Sequence, residues 1–177
     1  MNVIALILAG GKSTRMGQDK AVMMGGVARL QELLVNAGVE RVVVLCGDAH
    51  RKVMFDGEVV PDPSDVAGVH RLLAWAHSAF PGPKLLVPCD AFLLNSRAIE
   101  ALLPHTETGG VPLDEKGQRQ PLFALIPERQ RWERSPPHVR AMMQELPSIN
   151  MGEFARCFTN FNTPDDLLEH RLQDHVL

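Results

Sequence analysis

Cysteine is scarce in this chain of 177 residues. Cys46, Cys89 and Cys157 make neither a CxxC pair nor a disulfide framework, and that fits a reducing, cytoplasmic setting. A basic excess is missing as well. The 18 Lys and Arg against 21 Asp and Glu leave a net charge of −3, whereas general nucleic-acid binders are basic. Long apolar runs are absent: Val3 to Ala9 is too short to span a membrane and has no basic residues ahead of it. No metal-binding histidine spacing occurs. His170 and His175 sit five apart, off a single helical face, and the histidines read as surface residues. Aromatics make up 5%. With no exposed heptad, that leaves a monomer as the expectation, with no nucleic-acid or membrane partner.

What is present is an ordinary globular composition, 45% hydrophobic and 22% charged. The length fits one domain over residues 1–177, able to bury a core without staples. "NVIALILAG" reads as a strand buried on both faces. Residues 29–38 follow with a helical stripe ending at Gly38. Strands are expected over 39–47, 58–62 and 84–90, and helices over 69–80 and 96–105. This alternation predicts right-handed βαβ units on a mostly parallel sheet. Beyond Gly109, residues 110–127 read as a hairpin turning around 115–117. Residues 127–137 read as a surface loop or short helix, and residues 139–146 as a helix. A short strand from Cys157, a turn, and a helix capped by Thr163 close the chain. Ligands of such sheets bind outside the carboxyl ends of the strands. The segment 10–20, Asp62 and Asp90 all fall at such ends.

The stretch "ILAGGKSTRMGQDKA", residues 7–21, is the most informative. It ends no Walker loop, because the first glycine of that motif would fall on Leu6. Nor does it carry a G-x-G-x-x-G fingerprint. Its physical content is that of an anion site all the same. Gly10 and Gly11 allow a sharp turn and a close approach of backbone to ligand, and successive N–H groups there can form a nest for anions. Arg15 can grip phosphate oxygens in bidentate fashion, and Lys20 adds a point charge. A solvated loop with three surface cations is the plain alternative. Plain alternatives stand beside the other candidates too: Asp90 as a helix cap, Asp62 before Pro63 as a turn former, Asn160 and Asn162 as turn residues bonding backbone. Cys89 reads as a small buried residue, and Met16, Met23 and Met24 as packing.

The pattern L-A-G-G-x-S-x-R-M-G-x-D-K over Leu8–Lys20 resembles the nucleotide-binding signature of the molybdenum cofactor guanylyltransferases, the MobA family. "VVPD" ending at Asp62, "VPCD" ending at Asp90, "RQPLFALIP" and "NFNTPDDL" at 160–167 are similar to further family segments, in the same order. The resemblance spans nearly the whole chain. It implies an α/β fold: a three-layer α/β/α sandwich around a mostly parallel, Rossmann-like sheet of the nucleotide-diphospho-sugar transferase type. Residues 1–104 would form the nucleotide-binding half and 105–177 the acceptor half. It also implies an enzyme that joins GMP from GTP to the terminal phosphate of molybdopterin and releases pyrophosphate. Carried over, Leu8, Ala9 and Gly10 would present backbone to guanine and ribose. Gly11, Arg15 and Lys20 would hold the triphosphate, and Asp62 would help position the nucleotide. Asp90 would bind Mg²⁺, and Asn160 and Asn162 would face molybdopterin. Arg15, Lys20 and Asp90 would carry catalysis. Transient contact with molybdenum-insertion proteins and molybdoenzyme chaperones is a further implication.

Three segments depart from the family pattern. Leu45 stands where the family has an asparagine near guanine. "AGVHRLL" keeps only Gly68 of a G-P-L-A-G turn, and "CDAFLL" is one residue short and lacks a proline. Two alternatives therefore stay open. One is a transferase of the same fold using CTP or acting on a sugar phosphate. The other is a homologue that binds without chemistry. The first motif reads L-A-G-G rather than the L-A-A-G of the cytidylyltransferases, and that favours GTP.

Overall fold

The computed structural model describes residues 2–11, 19–132 and 136–161. Its centre is a strand without polar side chains, β1 (Ile4–Leu8). Successive side chains of a strand point to opposite faces, so an unbroken apolar run must be covered on both. Here Ala5 and Ile7 join one core cluster while Ile4 and Leu6 join the other. β2 (Arg41–Leu45) and β4 (Lys84–Pro88) flank it in parallel, and β3 (Glu58–Val60) extends the sheet beyond β2. The antiparallel edge strand β6 (Leu125–Ile126) completes the order β3-β2-β1-β4-β6.

Helices cover both faces. α1 (Gly26–Asn36) and α3 (Ser96–Leu102) supply Val27, Leu30, Leu34, Ala98, Ile99 and Leu102 to one cluster. α2 (Val69–Ala79) supplies Leu72, Leu73 and Ala76 to the other, with Met142 of the short α4 (Val139–Met142). The expected α/β sandwich around a mostly parallel sheet is therefore the observed one. Leu34 is wholly buried; truncating such a leucine to alanine costs about 2–5 kcal/mol. No described helix is long and apolar enough to cross a membrane.

The carboxyl-terminal portion differs from its sequence reading. The expected hairpin over 110–127 is not a continuous ladder. β5 (Val111–Pro112) pairs in parallel with β7 (Ser148–Ile149) in a separate small sheet, while β6 pairs with β4. The two arms are joined by isolated antiparallel bridges, Gly110 to Leu125 and Leu113 to Arg119, and by single backbone bonds such as Asp114 N–H to Gln118 O and Gln120 N–H to Pro112 O, both at 2.9 Å. Pro112 and Pro121 lack the N–H a ladder needs, and a 3-10 turn at Pro121–Phe123 breaks the second arm. The strand expected from Cys157 is instead the end of a 3-10 helix, Gly152–Phe158, whose Phe158 packs edge-on against Phe123. Helix α4 stops at Met142, short of the expected Leu146, and the chain continues in turns. The helix expected from Thr163 lies outside the described residues, as do His170 and His175.

Candidate active site

The carboxyl ends of β1, β2 and β4 meet through backbone bonds that leave little slack. Ala9 N–H donates to Leu45 O at 2.9 Å, and Cys89 N–H to Leu8 O at 3.3 Å. Beyond those bonds the chain turns at Gly10 beside Gly47. A Cβ on Gly10 would fall 2.8 Å from Gly47 Cα, and one on Gly47 2.7 Å from Gly10 Cα. Two glycines are thus required by their mutual approach. Gly11 is exposed, and a Cβ added to it would meet none of the described residues within 4 Å.

Asp62 follows β3 and closes this corner. Its N–H donates to Gly47 O at 2.8 Å, and its Oδ1 accepts from Gly47 N–H at 3.2 Å. Burial raises its carboxyl above the ordinary value and the nearby Asp48 charge adds to this, while the Gly47 N–H opposes it.

Asp90 lies just past β4 and is buried. Its Oδ2 is 2.6 Å from Lys20 Nζ. Lys20 also donates to the carbonyl of Phe161. One ammonium therefore joins the glycine loop, the end of β4 and the segment that carries Asn160. Asp90 is not a helix cap: Asn95 caps α3, accepting from Ala98 N–H at 2.9 Å. Cys89 beside it has its thiol pushed up to about 12, mainly by burial and then by the Asp90 charge, as befits packing and not nucleophilic chemistry. Met23 and Met24 pack with Phe92 and Phe161 beneath this point. Arg15, Asn162 and Met16 lie outside the described residues.

Sequence reasoning missed two arginines here. Arg51, on a 3-10 turn at Ala49–Met54, reaches Asp19, Ala9 and Cys46. Arg29 of α1 grips the loop after Asp90, donating to Ala91 O at 2.7 Å and Leu94 O at 3.0 Å. That loop is the shortened "CDAFLL". Apart from Cys46, five residues from Arg51, the partners of both arginines are distant in sequence, and no motif spacing encodes such pairings. Asp19, by contrast, sat in the quoted signature without a role.

Leu45 is wholly buried and packs in the core cluster with Val43 and Leu73. Its side chain points into the core, away from any role in reading a base.

Next to the strand ends lies a cleft of about 1160 Å³, with Asp114, Lys116, Arg119, His138, Arg140 and Asn160 among its walls. Its described lining includes neither Lys20 nor Asp90. The two features meet at residues 160–161, where Asn160 faces the cleft and the Phe161 carbonyl takes Lys20.

A family model described as the MobA-like NTP transferase domain matches residues 5–147, most of the chain and nearly all of this architecture. The chain belongs to this MobA-like family. It is thereby a nucleotidyltransferase by family. A molybdenum cofactor guanylyltransferase of Ectopseudomonas mendocina is 31% identical over 133 residues, 69% of this chain and 64% of that protein. Another, from Rhizobium johnstonii, is 27% identical over 194 residues, 95% of this chain and 91% of its own. Among solved structures, molybdopterin-guanine dinucleotide biosynthesis protein A from Archaeoglobus fulgidus superposes with a TM-score of 0.70 at 19% identity, covering 97% of each chain. That last likeness speaks for the fold.

Proposed function

We propose that this protein transfers GMP from GTP to the terminal phosphate of molybdopterin, with or without bound molybdenum, giving the guanine dinucleotide cofactor and pyrophosphate. The observation that carries the reading is the Lys20–Asp90 pair, 2.6 Å apart at the strand ends. It gains its meaning from the family and from relatives named as guanylyltransferases. Attack on an α-phosphate develops charge on the equatorial and leaving oxygens, so positioned charges dominate catalysis. Lys20 offers a cation from the glycine loop. The nucleophile is an already ionised phosphate, so no strong base is needed. The cleft beside the pair combines the cations Lys116 and Arg140 with the amides of Gln118, Gln144 and Asn160. That suits an acceptor carrying both phosphate and a heteroatom-rich ring.

Mg²⁺ belongs to the proposal, and the donor set fits it. Asp90 is a hard oxygen ligand already engaged by a positive charge, and Mg²⁺ commonly takes one or two carboxylates together with substrate phosphates. Bound there, the ion would offset negative charge on the phosphates. Asp90 would hold it, and Lys20 and Arg15 would serve the triphosphate. A cytoplasmic, monomeric protein is part of the same reading, supported by the composition alone.

Burial of Leu45 favours a second reading, a transferase of the same fold that prefers CTP, since the asparagine that would face guanine is missing. Thermal-shift titration with Mg²⁺ plus GTP, CTP, ATP or UTP decides between them, because a ligand of the folded state raises the melting temperature. A shift selective for GTP is the expected result. A CTP-selective shift would reassign the donor, and no shift with any nucleotide would favour binding without chemistry.

A further inference from the structure

We propose that Arg51 is a positioning residue for the nucleotide loop: its guanidinium ties Asp19, and through it Lys20, to the ends of β1 and β2. The inference rests on the transfer reading above for its catalytic consequence, though not for its geometry. Three donors of one planar group reach three different chain segments. Nε donates to Cys46 O at 3.0 Å, Nη2 to Ala9 O at 2.9 Å, and Nη1 to Asp19 Oδ2 at 2.6 Å. The group also lies 5.8 Å from the Phe55 ring centroid. Both partners of the ion pair are largely withdrawn from solvent.

Asp19 relays this hold to its neighbours. Its other oxygen, Oδ1, accepts from Ala21 N–H at 3.0 Å, and Ala21 O in turn accepts from Val27 N–H at 2.9 Å, at the start of α1. Lys20 therefore sits between two fixed residues, and its ammonium is delivered to Asp90. Burial by itself would raise the Asp19 carboxyl. The Arg51 hydrogen bond and charge, with the Ala21 N–H, outweigh it and leave the group below the ordinary carboxylate value. Asp19 is thus an anion adjacent in sequence to the cation meant for phosphate. Arg51 neutralises it and turns it away. A lysine at 51 could meet one of the three acceptors but not all three, because it lacks the rigid fork.

The test compares Arg51→Met, Arg51→Lys and Arg51→Met/Asp19→Asn with the wild type. It uses steady-state kinetics with GTP and with molybdopterin, melting temperatures, and amide hydrogen exchange over residues 9–22. Arg51→Met is expected to raise KM for GTP at least about tenfold, the scale of a lost charged hydrogen bond, while KM for the acceptor stays within twofold. Arg51→Lys should recover little of it. The double variant should bind GTP better than Arg51→Met, because the unpaired anion is gone while the substituted amide oxygen can still accept from Ala21 N–H. A purely structural role would lower the melting temperature and the active fraction with both KM values unmoved, and that result overturns the proposal. So does a double variant no better than the single one. If the wild type binds no nucleotide, the transfer reading fails, and exchange still decides the clamp. Faster exchange across 9–22 in Arg51→Met keeps it, and unchanged exchange removes it.

Discussion

The chain up to Leu102 and the chain beyond Gly109 hold their loops in different ways. In the first region β1, β2 and β4 are five residues each, paired in parallel and, apart from Arg41 and Lys84 at the starts of β2 and β4, apolar on both faces, and loops start from their ends. In the second, each described strand has two residues, and side chains replace ladders. There Asp114 accepts from the backbone of Lys116 and Gln118 through Oδ1 and from Gln120 Nε2 through Oδ2. Arg119 donates to Met143 O and Leu146 O at 2.7 and 2.8 Å. The difference separates tasks. A phosphate site needs charges fixed to within fractions of an ångström, and long buried strands provide that. On the proposed reading, a cleft wall that receives the acceptor can be rebuilt by changing turns.

The sharpest way to test this division is to remove the charge at the first region's centre. Asp90→Asn keeps shape and hydrogen-bonding capacity while removing the carboxylate that pairs with Lys20. Turnover is expected to fall by about a hundredfold or more, since a cation at developing phosphate charge contributes several kcal/mol. The melting temperature should move little. Near-normal turnover in a folded Asp90→Asn protein would put the chemistry elsewhere, and the contrast between the two regions would lose its functional meaning.

A pair of glycine substitutions compares backbone tolerance directly. Gly47 has φ +79° and Gly117 has φ +72°, so alanine is strained at both. At Gly47 the new Cβ also meets the Gly10 backbone at 2.7 Å, whereas at Gly117 it meets none of the described residues within 4 Å. Gly117→Ala should cost about 1–2 kcal/mol, the left-handed penalty alone. Gly47→Ala adds an overpacking cost of about 1–3 kcal/mol against backbone that cannot rotate away. Urea unfolding of both variants measures the gap. Equal losses would show that the strand-end corner yields as easily as the turn at Gly117.

The same two regions explain which features could be read in the sequence. β1, β2 and β4 announce themselves because burial on two faces demands uninterrupted apolar runs, and the observed strands fall inside the expected ranges. α1 begins at Gly26, earlier than the stripe from Arg29 indicates, because glycines carry no apolar signal. Beyond Gly109 the apolar stretches were visible but their partners were not. Alternation says that Val111 and Leu125 are buried; it does not say that one pairs with Ser148 and the other with Leu85. The site divides similarly. Lys20, Asp62 and Asp90 stand in motifs at strand ends. Arg51 and Arg29 act on carbonyls that only the folded chain brings near, as when Arg51 meets Ala9, 42 residues away.

Lys84 tests the far end of the same strands, where no motif lies. It opens β4, is wholly buried, and donates to the carbonyl of Gly82. Burial pushes its pKa down to about 8; Glu128 pulls it up in part and Arg41 pushes it down further. In the unfolded chain the group keeps its ordinary value near 10.5. Between those two pH values the unfolded state holds more protons, so stability rises with pH across that window, and the full penalty is present below it. His77 nearby is also lowered, by burial first and then by the Lys84 charge, but its ordinary value of 6.5 puts its window on the acid side. Wild-type stability should therefore gain about 1 kcal/mol from pH 8 to 9 relative to Lys84→Met, which lacks the titrating group. Because Lys84 is at the amino end of β4 and Asp90 just past its carboxyl end, nucleotide affinity should be the same in both proteins. Parallel pH profiles would mean that the ammonium reaches solvent. A change in affinity would mean that the two ends of β4 are coupled, and the separation between scaffold and site would hold only along the sheet's width.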